Sequence, residues 1–146
     1  MALLNYTTQI EAIKTVGEIQ GILAAHGAKS ILIDYEDNGI VKALAFTITT
    51  PQGEVGIRLP IDADAVLKVL TRQNRLGRVP NKYINHAQAV RVAWRIVKDW
   101  CSAQMAILET EMVKMEQIFL PYVITQSGRT LYEAMVDRKF QLTGKE

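Results

Sequence analysis

A single cysteine, Cys101, stands among 146 residues, so no disulfide can close within the chain. It lies in an apolar helical context, where a buried, inert thiol is expected. Histidine is almost as scarce. With only His26 and His86 present, a closed zinc site would need carboxylates to complete it. Two histidines in unrelated contexts assemble no Ser-His-Asp or Cys-His set. Gly17, Gly21 and Gly27 precede the first strand, so they form no strand–loop–helix phosphate cradle. No catalytic residue, metal or cofactor is therefore expected, and the chain reads as a non-enzyme. No run approaches the roughly 18 apolar residues of a membrane span. The opening MALLNYTTQIEAIK lacks a secretory signal's cationic start and apolar core. The expectation is a soluble, cytoplasmic protein without a membrane partner.

Acidic residues are missing from one long stretch, and this absence points somewhere. From Ala65 to Lys98 there is none, while eight of the seventeen Lys and Arg fall inside: Lys68, Arg72, Arg75, Arg78, Lys82, Arg91, Arg95 and Lys98. The window sums to +8 and the remainder to −6, a split hidden by the net charge of +2. A basic block within a mildly acidic chain is the footprint of a polyanion-binding surface.

Periodicity predicts a single α+β domain over residues 1–146. Thr7 or Thr8 caps a first helix within 7–26, stopped by Gly27. Gly17 and Gly21, four apart, mark either a close helix crossing or a weak helix. Alternating apolar residues over 30–59 predict a three-stranded antiparallel meander. Ile31, Ile33 and Tyr35 share one face of its first strand, and Leu44, Phe46 and Ile48 point inward from its second. Asn38-Gly39 signals a two-residue hairpin turn with positive φ at both positions. Asp62 caps a short helix over 62–73, with Ala65, Val66, Val69 and Leu70 buried. A basic loop, 74–84, then leads to a helical region over 86–138.

Within that region, Asn85 caps a stretch reaching Leu120 before Pro121. Uninterrupted, it would span roughly 52 Å, against a domain diameter of roughly 38 Å. It must break, near Ser102 or Thr110, or project. Its apolar residues exceed what one small sheet can cover. They imply either a helix sandwiched between the sheet and the C-terminal helix, or a self-association face. A last helix follows over Thr130–Arg138, and Thr143–Glu146 reads as a loose tail.

Arg91, Arg95 and Lys98 stand at i, i+4 and i+7, on one helical face. Arg72, Arg75, Arg78 and Lys82 lie just upstream on a loop able to fold beside it. Phosphate contacts along such a surface gain from counterion release. Tyr83 and Trp94 are interleaved, and exposed rings would stack unpaired bases. Beside this stands a plainer reading, in which basic stems cover apolar surface, Trp94 is core, and Asp34, Glu36 and Asp37 neutralise the face. Asp62 and Asp64 read as helix-start acids rather than metal ligands.

The segments Ala89–Trp100, Phe119–Tyr122 and Thr130–Glu133, with Glu18–Leu23 and Gly27-Ala28, resemble small uncharacterised proteins of bacterial viruses and prophages. The resemblance implies a mobile-element setting and no specific activity. A β-β-β-α core with a basic surface is also similar, at fold level alone, to single-strand annealing proteins. The expected function is non-enzymatic binding of single-stranded DNA with little sequence preference, inside a bacterial host cell. Arg72, Arg75, Arg78, Lys82, Arg91, Arg95 and Lys98 would contact phosphates, and Tyr83 and Trp94 would contact bases. On this reading, reversing Arg91 and Arg95 abolishes binding and spares the fold. The alternatives are an inhibitor docking on an acidic surface of a host defence enzyme, and a structural homo-oligomer.

Overall fold

A computed structural model describes residues 1–142; the expected tail Thr143–Glu146 lies outside them. The first helix, α1 (Ala12–Ala25), begins several residues later than either threonine would place it. Asn5 takes a positive φ of 66°, and Thr8 Oγ1 accepts the Ile10 N–H at 3.2 Å in a local turn. Glu11 is the N-cap and makes no side-chain cap bond. Gly27, at φ 105°, ends the helix as expected. A Cβ on Gly17 or Gly21 would meet nothing within 4 Å, so the pair marks no helix crossing.

The meander is β1 (Ser30–Tyr35), β2 (Val41–Thr50) and β3 (Gly53–Arg58), antiparallel in the order β1-β2-β3. Its first turn differs from the two-residue form. Glu36 C=O accepts the Gly39 N–H at 2.9 Å, and Glu36 N–H donates to Ile40 C=O at 2.8 Å. Of the three loop residues only Gly39 has positive φ, 83°. A three-residue loop ending in a left-handed glycine matches strand twist with one strained position instead of two. Lys42 forms a bulge, since Asp34 pairs with Ala43 but Tyr35 with Val41. This inserts one residue in the alternation, so Val41 and Leu44 both point inward. Tyr35 opposes Val41 and so shares the face of Ile31 and Ile33 as expected, but at the strand end its ring is exposed.

Two helices follow, α2 (Ala63–Arg75) and α3 (His86–Glu109). Asp62 and Asn85 cap them, accepting the N–H groups of Ala65 at 3.1 Å and Gln88 at 2.8 Å. α3 stops at Thr110, one of the two expected breaks, followed by Glu111 at φ 63°. At 24 residues it spans roughly 36 Å, which the domain accommodates. α4 (Met115–Ile118) and a 3-10 turn over Leu120–Tyr122 complete the stretch that would otherwise be one rod. Residues 123–130 then fold back as a hairpin along β3, with bridges Ile57↔Val123 and Ile124↔Thr130. They close that sheet edge. Thr130 caps α5 (Leu131–Asp137) in a capping box with Glu133.

α3 is covered on three sides in its first half. Val90, Trp94, Val97, Cys101 and Met105 meet Val41, Leu44, Phe46 and Ile57 of the sheet. Ala89 joins Leu70 of α2 and Val79 in a second core. The polar side holds Gln88, buried, whose Nε2 donates to the carbonyls of Tyr6 at 2.8 Å and Thr8 at 3.0 Å. The excess apolar surface is thus taken up by the sheet and α2 rather than by the C-terminal helix. In the second half Ala103, Ala106 and Ile107 stay exposed. Ala65 is exposed as well, contrary to expectation, at a recess it shares with Ala93, Ile96 and Val97 of α3.

Two predictions follow from these ties. Gln88→Leu strands two carbonyls and should lower unfolding free energy by about 2–3 kcal/mol in urea titration; an unchanged midpoint would show the strap over residues 1–10 is not held by them. At the other end, His26 Nδ1 lies 2.8 Å from Ile22 C=O, and Nε2 lies 3.3 Å from Glu109 Oε1. The Ile22 carbonyl foremost, then Glu109, raise its pKa above 6.5, against some desolvation. Proton binding therefore favours the folded state. This contribution is full below the unfolded pKa near 6.5 and is lost as pH rises through the higher folded value. The melting-temperature advantage over His26→Gln should shrink as pH rises above about 6.5; a constant difference would refute the tie.

Candidate nucleic-acid interface

The basic window divides between two helices with opposite fates. In α2, Val66, Leu67 and Leu70 point into the second core, which leaves Lys68, Arg72 and Arg75 on the outer face. These stand at i, i+4 and i+7, the spacing singled out in α3, and Lys68 thereby joins a site in which sequence reasoning had not placed it. The residues beyond α2 form a held turn. Gly77 N–H donates to Asn74 C=O at 3.0 Å and Arg78 N–H to Gln73 C=O at 2.9 Å. With Gly77 at φ 73°, this is a Schellman closure. Asn74 Nδ2 donates to Val79 C=O at 2.9 Å and Asn81 Oδ1 at 2.7 Å, and Val79 is buried. The basic loop is accordingly a pinned turn leading into a 3-10 turn over Asn81–Tyr83.

Five cations of the window are therefore exposed and are together termed the ridge: Lys68, Arg72 and Arg75 on the outer face of α2, and Arg78 and Lys82 on the turn beyond it. None has a carboxylate within 4.0 Å among the described residues. Arg72 and Arg75 complement the helix dipole in the last turn of α2. That accounts for two of the five; Lys82 stands over the Tyr83 ring, and Lys68 and Arg78 have no structural partner among the described residues. Asp64, at the start of the same face, bounds the ridge.

The cations of α3 turn inward. Arg91 donates through Nε and Nη2 to Gln88 Oε1 at 3.0 and 2.7 Å, and its Nη1 lies 3.8 Å from Glu11 Oε1. Arg95 Nη1 lies 2.5 Å from Glu18 Oε2, with its side chain only 17% exposed. Lys98 Nζ is 3.9 Å from Asp99 Oδ1, and Asp99 Oδ2 accepts the Asn5 Nδ2–H at 2.8 Å. The face is neutralised, but by α1 and the α3 acid rather than by Asp34, Glu36 and Asp37. Glu11 and Glu18, seven apart on α1, were the available signal.

The rings fare likewise. Trp94 is 1% exposed and donates its Nε1–H to Val41 C=O at 3.3 Å. It belongs to the core and cannot stack on a base, which corrects that expectation. Tyr83 is half-buried, edge-on to Tyr6 at 5.4 Å, with Lys82 Nζ 5.1 Å from its ring centre. Arg91, Trp94 and Arg95 thus do not share a surface with the ridge cations.

A concavity of about 340 Å³ lies where α2 and α3 begin, lined among others by Lys42, Arg58 and His86 and by Glu36, Asp62 and Asp64. Two cations and three carboxylates line it, and His86 Nδ1 stands 3.9 Å from Asp64 Oδ1. Among the described residues, no three His, Cys, Asp or Glu side chains gather as a metal site, and no helix is long and apolar enough to cross a membrane. Burial pushes the Cys101 thiol up to about 12, far from a reactive thiolate at neutral pH. Compared with protein-family models, curated proteins and solved structures, the chain matches none.

Arg95→Glu sets two carboxylates together at a largely covered site and should cost about 2 kcal/mol in stability. Adding Glu18→Arg should restore part of it in a double-mutant cycle; a single variant as stable as the parent would show that the pair holds nothing.

Proposed function

We propose that the chain binds nucleic acid through the phosphate backbone, without catalysis and with little sequence preference, along the α2 ridge. The observation that carries this reading is the five exposed cations without acid partners, beside three from the same window that fold against carboxylates. A rigid row of charge, with no exposed Asn or Gln aimed from α2 among them, suits phosphates rather than base edges. Gln73 and Asn74 are spent inside the fold, on Leu3 N–H and on Val79 and Asn81. The preference for single strands, expected from two rings, now rests on Tyr83 alone. The resemblance to viral and prophage proteins fits a DNA-handling role in a bacterial host.

Fluorescence anisotropy with a labelled single strand, a duplex and an RNA, each across a salt series, tests the proposal and ranks the targets. Five phosphate contacts predict a log–log salt slope of about −3.5 on single strands or about −4.5 on duplex. Arg72→Glu, Arg75→Glu and Arg78→Glu combined should reduce the slope by about 2–3 and weaken binding at least ~100-fold, with a stability loss of no more than about 1–2 kcal/mol from the reversed charges at the α2 C-terminus. No binding of the parent at low salt, or equal binding by the triple variant, would end the proposal and turn attention to an acidic protein partner. The Arg91/Arg95 double reversal is not the right test, because it attacks the α1–α3 packing.

A further inference from the structure

The two edges of the sheet are treated differently. Beyond β3, the hairpin of residues 123–130 pairs with the strand, Ile124 N–H donating to Gly56 C=O at 2.8 Å. β1 has no strand or backbone partner on its outer edge among the described residues. It is six residues long, Ser-Ile-Leu-Ile-Asp-Tyr, with one charge and no proline. Leu32 is 64% exposed on the face away from the core, and Ile31 and Ile33 are only half covered on the other. Such an edge is a template for another strand, and proteins ordinarily blunt it.

We infer that β1 pairs antiparallel with β1 of a second copy of this chain, about a two-fold axis at Leu32. The register chooses the occupant. Faces match only when opposed residue numbers sum to an even value, because side chains alternate. With the axis at Leu32, Leu32 meets Leu32, Ile31 meets Ile33, and Ser30 meets Asp34, so no like charges face each other. Moving the axis to Ile33 opposes Leu32 to Asp34. Moving it to Ile31 opposes Lys29 to Ile33. The sequence is therefore self-complementary in one register. α1 is packed into the core through Val16, Ile19 and Leu23, and it carries small exposed residues at Gly17, Gly21 and Ala24, with nothing within 4 Å of a Cβ at either glycine. A patch roughly 20 Å long and two ~10 Å layers deep is small among stable interfaces, so the dimer should be concentration-dependent. Nothing in this pairing involves the cation ridge, and it stands whether or not the chain binds nucleic acid.

The test combines sedimentation equilibrium with cysteine cross-linking. The parent should move from monomer towards dimer mass as concentration rises to about 1 mM, and Leu32→Lys, at an exposed position, should remain monomeric with an unchanged melting temperature. Directly opposed Cα atoms lie about 4.5–5.5 Å apart, within disulfide range. Leu32→Cys should therefore oxidise to a covalent dimer, with the buried Cys101 inert. Asp34→Cys, whose counterpart would lie roughly 13 Å away along the strands, should not. A parent monomeric throughout, with Leu32→Cys cross-linking no faster than Asp34→Cys, overturns the inference. A dimer that survives Leu32→Lys, or one cross-linked better through position 34, overturns it as well.

Discussion

α3 has to satisfy three neighbours along one cylinder, and the arrangement of the chain depends on that constraint. Its Val90–Met105 stripe seals the sheet, its Ala89 side receives α2 and Val79, and its Gln88–Arg95 side takes the N-terminal strap and α1. Burial of Trp94, Phe46 and Phe119 supplies the largest apolar areas, each worth a few kcal/mol. Because three helical faces are occupied at once, polar groups on any of them must find protein partners. Gln88 does so with two carbonyls, and Arg95 with Glu18.

That requirement sorts the charges. Cations on α3 stand beside α1, where bare charge would be partly desolvated and costly, and carboxylates are in place at Glu11 and Glu18. α2 packs against α3, Val79 and the N-terminal strap, and the face carrying Lys68, Arg72 and Arg75 is open to solvent. Its cations incur no desolvation cost and need no partner, so they remain available to a polyanion. One run of like charge in the sequence becomes a structural clamp at one end and a free ridge at the other. The ridge keeps its direction because buried Val79 and the Asn74 side chain hold the chain beyond α2.

Local elements were legible where the signal is local. Asp62, Asn85 and Thr130 are N-caps as their residue types imply, Gly27 ends α1, and the three strands lie within a residue or two of the alternating runs. The misses have equally local causes of a subtler kind. The Lys42 bulge has no sequence signature and shifts the facing of β2 by one residue, so that Val41 rather than Lys42 lies on the core side. The three-residue hairpin uses the same Asn-Gly pair as a two-residue one. Of the candidate site, the row of cations was visible, but its composition was not. Lys68 belongs to it, and Arg91, Trp94, Arg95 and Lys98 do not.

The sequence by itself determined the α+β class, the order of elements and the concentration of positive charge between Ala65 and Lys98, since these depend on periodicity, capping chemistry and composition. Only the tertiary structure decided which cations are free, because that depends on whether a carboxylate distant in the chain lies within a few ångströms. Arg95 and Glu18 are 77 residues apart, and no pattern along the chain measures the separation of two helices brought together by a sheet. The same holds for the sheet edges. β1 and β3 are both six-residue outer strands of the meander, and β3 is closed while β1 is open because residues 123–130 return to one side.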